Sequence, residues 1–316
     1  MKEGDPLNRR DFLLLSAFAV GGLTLLGFNF RNKTKELAKP PPPPESISSP
    51  ENPRDVSIIL TGDVLLGRTV MTESIERGNL SYPFDKVGGV LRQADLVFIN
   101  LENPVVEGCP KTYESLKFCT DPVMLEGLTR AGVDVVNLAN NHTLDYGEKG
   151  LEETKAALVN EGIDSVGREQ TLVREVGGTK FGFLGFNLIA TGPKQKELEL
   201  IRKVKKEVDV VLVAVHWGRE YSQTPSPEQK IWARQLIEAG ADVIAGSHPH
   251  VVQEWEYISG KPVFYSLGNF IFDQMDIDST KKGLAVRLIF REGKLVNTEE
   301  LPTYMSDWAR PEFTAK

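Results

Sequence analysis

The chain has 316 residues, 41% hydrophobic and 26% charged, with 28 Gly and 19 Pro, proportions that exclude a collagen-like, a fully disordered or a multi-span membrane protein. The formal charge of −7 is uneven: residues 1–54 carry 8 basic and 6 acidic side chains, the remainder 29 and 38. That acidic remainder argues against a basic face for nucleic acid and against holding polyanions by bulk charge, and two cysteines exclude a disulfide scaffold or a Cys-rich zinc module.

In chain order, the first segment reads as an address. Asn8-Arg9-Arg10-Asp11-Phe12-Leu13-Leu14 has the form of a twin-arginine export signal. The uncharged stretch 12–30 behind it would span about 28 Å as a helix, close to the thickness of a bilayer's hydrocarbon. A buried core helix is the alternative, but it would not stand between paired arginines and a Pro-rich run. No A-x-A cleavage site follows, and Arg31, Lys33 and Lys35 come directly after Phe30. Residues 1–30 are therefore expected to remain as an N-terminal membrane anchor, with the rest of the protein on the extracytoplasmic face. Residues 31–54, with five consecutive prolines from Pro40 to Pro44, suit a polyproline II spacer or a tail without a mechanical role.

From residue 56, apolar runs at 56–61, 95–100, 133–138, 208–215 and 241–245 alternate with amphipathic segments near 85–93, 121–131, 148–161, 195–207 and 226–240. Further strand-like segments fall at 261–272 and 283–301, the second with a turn at Glu292-Gly293. Continuous apolar strands alternating with helices predict an α/β domain over 55–316, its sheet covered on both faces. Five of the runs lead into polar, metal-capable residues: Asp63, Glu102, Asn141, His216, and the pair His248 and His250. Ligands of open α/β sheets bind beyond the carboxyl ends of the strands, so these side chains are predicted to converge on one rim.

Two carboxylates, an amide oxygen and three imidazoles suit Mn, Fe or Zn, and six donors exceed what one structural zinc takes. A pair of ions sharing a carboxylate fits better, the arrangement used for phosphoryl and related hydrolyses. His248 and His250, two apart at a strand end, are expected on one face because the strand period is two. Each residue alone has a plainer reading. Asp63 could shape a turn, Glu102 could solvate a strand end together with Asn100, Asn141-His142 could cap a helix, and His216 could be a satisfied core histidine. Jointly those readings fail, because all four histidines of the chain fall in this one set of positions. There is no G-x-S-x-G elbow and no phosphate-binding loop. Cys109 and Cys119 could pair or stay free.

The stretches TGDVLLG (61–67), NLENPV (100–105), NLANNHTLDYG (137–147), VHWGREY (215–221), GSHPHVVQ (246–253) and YSLGNFIFD (265–273) resemble the poly-γ-glutamate capsule synthesis (CapA) family over residues 56–273. That family is similar in fold to the calcineurin-like metallophosphoesterases, which implies a two-sheet α/β/β/α sandwich. The resemblance implies one ion on Asp63, Glu102 and His250 and a second on Glu102, Asn141, His216 and His248, with Glu102 bridging. It also implies that His142 protonates the leaving group. The family fold places a histidine two residues beyond the first carboxylate, and here that position is Leu65. Asp145 fits either a helix N-cap, the reading its spacing favours, or a group orienting His142. Arg68, Arg219 and Asn269 are taken as substrate-binding, although the two arginines could equally face solvent.

The implied function is a contribution to the synthesis or export of an anionic capsular polymer, poly-γ-glutamate, alongside membrane-embedded synthesis and export proteins. The rival expectations are a surface phosphoesterase for an envelope phosphate ester and a non-catalytic assembly factor.

Overall fold

A computed structural model describes residues 54–315, so the expected anchor and nearly all of the spacer lie outside the described residues. The first part of the domain forms β1 (Val56–Val64), α1 (Arg68–Glu76), α2 (Gly88–Leu91), β2 (Leu96–Leu101), α3 (Leu125–Ala131), β3 (Val135–Asn137), α4 (Gly147–Asn160) and β4 (Asp164–Val166). Next come β5 (Leu172–Val176), β6 (Thr179–Asn187), α5 (Gln195–Lys205), β7 (Val210–His216), α6 (Pro227–Ala239) and β8 (Val243–Ser247). The chain closes with β9 (Trp255–Ile258), β10 (Lys261–Phe264), β11 (Asn269–Ile271), β12 (Lys282–Arg291), β13 (Lys294–Asp307) and β14 (Arg310–Phe313). Among the described residues no helix is long and apolar enough to cross a membrane.

The strands order as β14-β13-β12-β1-β2-β3-β4 in one sheet, with β11 also pairing β1, and as β5-β6-β7-β8-β10-β9 in the other. Alternation within single strands explains why two sheets form. On β1, Ile58 and Leu60 join the cluster between the sheets, while Ile59 joins the one beneath α3 and α4. On β7, Leu212 faces the other sheet and Val211, Val213 and Val215 pack with Ile201 of α5 and Leu236 of α6. Phe98 and Phe183 meet edge-on at 5.3 Å between the layers. Both faces of the central strands are thus covered, the physical reason their sequences are apolar without interruption. The architecture is the predicted α/β/β/α sandwich.

Two features depart from the sequence reading. The run 261–272 is not one strand: β10 belongs to the second sheet and β11 to the first. The chain crosses between layers at residues 265–268, with Gly268 at φ +66°, and Asp63 donates its backbone N–H to the Gly268 carbonyl. The helix α1 and the strands β4 to β6, β9 and β14 were also not foreseen. The hairpin at Glu292-Gly293 is as expected, both residues being left-handed (φ +50° and +72°).

Candidate metal centre

Strands β1, β2 and β3 run parallel in one sheet, and β6, β7 and β8 in the other, so their carboxyl ends present one rim from each layer. Asp63 sits at the end of β1 and is fully buried. It accepts from Asn100 Nδ2 at 2.8 Å and from the His248 backbone N–H at 3.2 Å, and lies 3.2 Å from His250 Nδ1. Glu102, just past β2, is equally buried. Its Oε1 lies 3.6 Å from His216 Nε2 and 3.7 Å from His250 Nε2, and has no hydrogen-bond partner among the described residues. Asn141, after β3, points its amide oxygen at His216 Nε2, 2.7 Å away.

The imidazoles are held from behind. Ser247 Oγ lies 3.3 Å from the Val215 carbonyl, to which it donates, so the hydroxyl accepts from His216 Nδ1 at 2.8 Å. Asn269 donates its amide to Gln274 Oε1 and the Thr280 carbonyl, which leaves its oxygen to accept from His250 Nδ1 at 2.9 Å. His250 therefore turns its Nε2 lone pair into the cluster, the tautomer a metal ligand needs, while His216 Nε2 faces the Asn141 amide oxygen, two donor atoms that a shared cation would satisfy together. His248 Nδ1 is buried with no partner among the described residues. His248 and His250 share the site for a reason other than the strand period. Both lie past the end of β8 with left-handed backbones (φ +96° and +58°), a conformation disfavoured for non-glycine residues and sustained by the surrounding contacts.

The charges fit the same purpose. Burial pushes Asp63 up, but His250, His216 and the Asn100 amide outweigh it and hold the carboxyl at about 2. Burial, then the Asp63 carboxylate, pushes Glu102 well above the usual range. Burial drives His216 well below its ordinary value and His248 to about 4, so both rings are neutral at pH 7. A buried carboxyl oxygen without a partner, with an imidazole nitrogen on either side, is a donor set that fits a divalent cation.

Donor atoms within 4.8 Å of one another form two groups, Asp63/Glu102/His216 and Glu102/His248/His250. Glu102 is common to both. The histidines divide differently from the expected sets: His248 goes with His250, and His216 with Asp63. Leu65 is fully buried with Phe118, Phe272 and Met305, so apolar packing fills the position two residues beyond Asp63 where the resemblance led to the expectation of an imidazole.

His142 lies beside the cluster. Its ring stacks on Phe118 with centroids 3.7 Å apart, and its Nδ1 meets Asp145 Oδ2 at 2.8 Å. Asp145 also accepts from the Phe118 backbone N–H at 2.6 Å, and α4 begins only at Gly147 with Tyr146 as its N-cap. Asp145 thus orients His142 and does not cap the helix. Of the residues taken as substrate-binding, Asn269 is fully buried behind His250 and acts on that ring. Arg68 is engaged with Asp273 and the Ser115 carbonyl, its guanidinium 4.4 Å from the Phe118 centroid. Arg219 is exposed and makes no side-chain hydrogen bond or ion pair among the described residues, so it alone of the three is free to meet a substrate.

Sequence reasoning missed the amide network behind the carboxylates. Asn137 Nδ2 and Asn140 Nδ2 both reach Asn100 Oδ1, at 2.9 and 3.3 Å, which turns the Asn100 amide toward Asp63. The available signal was asparagine recurring inside apolar strands, since a buried amide must be paired.

Cys109 and Cys119 are joined, with Cα atoms 5.9 Å apart, and close the loop that presents Phe118 to His142. Replacing both by alanine is expected to cost about 2–3 kcal/mol from the chain entropy of so short a loop, read from urea unfolding of the double variant against the oxidised protein.

Acid sensitivity of the metal-free protein follows from His248. Its unfolded value is 6.5 and its folded value about 4, so the unfolded chain takes up a proton that the fold refuses. The stabilisation is complete above pH 6.5 and declines as pH falls toward 4, by on the order of 3 kcal/mol. Urea midpoints in chelator from pH 7.5 to 4 should fall accordingly, and should fall less in His248→Asn. An equal slope in that variant would count against the assignment.

Residues 57–274 match the family described as bacterial capsule synthesis protein PGA_cap. The chain is 34% identical over 248 residues to the capsule biosynthesis protein CapA of Bacillus anthracis, covering 69% of this chain and 60% of that one. It is 33% identical over 243 residues to the PGA biosynthesis protein CapA of Bacillus subtilis (strain 168), covering 69% and 64%. The chain therefore spans somewhat under two thirds of the length of these curated relatives. In fold it is similar to a hypothetical protein from Thermus thermophilus (TM-score 0.54, 17% identity, 78% of this chain and 98% of that one). A phosphatase from Mycoplasma pneumoniae is similar in fold as well (TM-score 0.52, 17% identity, 79% and 93%).

Proposed function

The chain belongs to the family of bacterial capsule synthesis proteins, and on that basis we propose that it acts on an anionic capsular polymer, poly-γ-glutamate, through a divalent-metal hydrolytic centre. The observation that carries the reading is Glu102, a buried carboxylate with an unpartnered oxygen that belongs to both donor groups. Asp63, Glu102, Asn141, His216, His248 and His250 would hold one or two ions of Mn, Fe or Zn. Bound ions supply a water of lowered pKa and polarise a P=O or C=O group.

The chain's own residues do the rest. Asp145 holds the His142 Nδ1–H, leaving Nε2 to carry a proton to the leaving group. Phe118 covers one face of that ring against water. Arg219 is free to meet a substrate carboxylate or phosphate.

The extracytoplasmic location is part of the proposal. It is supported by the paired arginines ahead of an uncharged stretch, and by a disulfide of the kind that persists in oxidising compartments. Membrane-embedded polymer synthesis and export proteins would be the partners.

The test is to purify the 316-residue protein, measure bound metal, and assay cleavage of γ-glutamyl and phosphodiester bonds in wild type and His248→Ala. Metal-dependent γ-glutamyl cleavage lost in His248→Ala is expected. Cleavage of phosphodiesters alone would replace this reading by an envelope phosphoesterase. No turnover of either by metal-replete protein would leave an assembly factor.

A further inference from the structure

A cavity of about 750 Å³ adjoins the centre on the β3–β4 side. Asn141, whose amide oxygen faces His216, also forms part of its wall, so cavity and donor cluster share a side chain. Asn187 enters the wall from the end of β6, paired in register with His216 on β7. Its Oδ1 accepts from the Ile189 N–H, while its Nδ2 has no partner among the described residues. Lys196 comes from α5, and Arg168 from the turn after β4.

That turn is strained. Gly167, Arg168 and Glu169 all have left-handed backbones (φ +120°, +49° and +74°), and a Cβ on Gly167 would stand 2.7 Å from the Ala139 nitrogen. Two successive non-glycine residues in that region persist only where tertiary contacts hold them, and here the turn brings Arg168 to the cavity.

The two cations are available. Arg168 pairs with Glu148 at 2.8 Å and Lys196 with Glu169 at 2.7 Å, and all four side chains are at least 40% exposed. Exposed pairs contribute little, so a ligand carboxylate can displace either glutamate. A second cavity, of about 680 Å³, lies toward Arg68 and Asp273 and sets Glu73, Glu114, Asp273 and Asp276 against one arginine. That lining repels a polyanion, whereas the wall of the first cavity balances Arg168 and Lys196 against Glu169 and Glu197, which leaves it as the side a polyanion can take.

We propose that this first cavity is a binding subsite for an acidic, amide-linked chain leading away from the metal centre. Arg168 and Lys196 receive its carboxylates, and the Asn187 amide donates to its backbone carbonyl. The identity of the polymer rests on the reading under Proposed function; the subsite does not require hydrolysis.

The probe is a fluorescent γ-linked glutamate octamer, titrated by polarisation against the 316-residue protein in chelator, with inorganic polyphosphate of matched charge as competitor. Arg168→Ala/Lys196→Ala should weaken octamer binding about tenfold or more while the melting curve stays in place. Leu144→Trp, which fills the cavity from an exposed wall position, should reproduce the loss. Asn187→Ala should weaken the octamer and leave polyphosphate binding unchanged. Undiminished octamer affinity in the double variant overturns the subsite, and polyphosphate displacing the octamer as well as free octamer does overturns recognition of the amide chain. Octamer binding without any cleavage in metal-replete protein defeats the proposed function and leaves the subsite standing.

Discussion

Glu102→Gln is expected to lower metal affinity at least about tenfold while making the metal-free protein harder to melt. The two effects share one cause. Glu102 is fully buried, its Oε1 unpartnered, with the Asp63 carboxylate beside it. Without a cation the fold bears the cost of that acid. The isosteric amide cannot ionise, and its N–H₂ can donate to the neighbouring ring nitrogens, His216 Nε2 and His250 Nε2, which lie 3.6 and 3.7 Å from Oε1. Relief of about 1–3 kcal/mol is the expected scale, a rise of several degrees in melting temperature. With both donor groups passing through Glu102, neither keeps its ligand set. Elemental analysis after dialysis reads the first effect and calorimetry in chelator the second. Unchanged metal content would remove Glu102 from the centre, and a lower melting temperature in chelator would contradict the burial argument.

His142→Ala should lower turnover about 10²–10⁴-fold with bound metal unchanged. The ring belongs to neither donor group and is held by Phe118 and Asp145. Its role shows in the leaving group. A poor leaving group needs the proton, so its cleavage takes the full loss; an acidic phenol departs without one and should be cleaved almost as fast by the variant. Equal losses on both substrates would show that the ring acts on position and not on proton transfer.

Much of this was legible in the sequence because strands covered on both faces must be apolar throughout, and a polar residue at their ends then stands out. Asp63, Glu102, His216 and the His248/His250 pair were visible in that way, all the more so with only four histidines in the chain. What was hidden depends on geometry that spacing does not encode. The rings of His248 and His250 meet the cluster through left-handed backbones, not through strand alternation. Asn269 looked like a residue for substrate until Gln274 and Thr280 took its amide and turned it onto His250. The spacing of Asp145 suited a helix cap, and only the late start of α4 shows that it serves His142. The segment 261–272 looked like one strand because each half is apolar, and nothing local reveals that the halves belong to different layers.

The same crossing between layers has a kinetic consequence. The donors come from both sheets, and the hydrogen bond from His248 to Asp63 alone spans 185 residues. Such contacts close late on a folding pathway, after the loops between them have been ordered. An ion therefore meets a finished cage and has no half-formed one to nucleate. It acts as a latch: at rising metal concentration the unfolding rate should fall while the folding rate stays where it was.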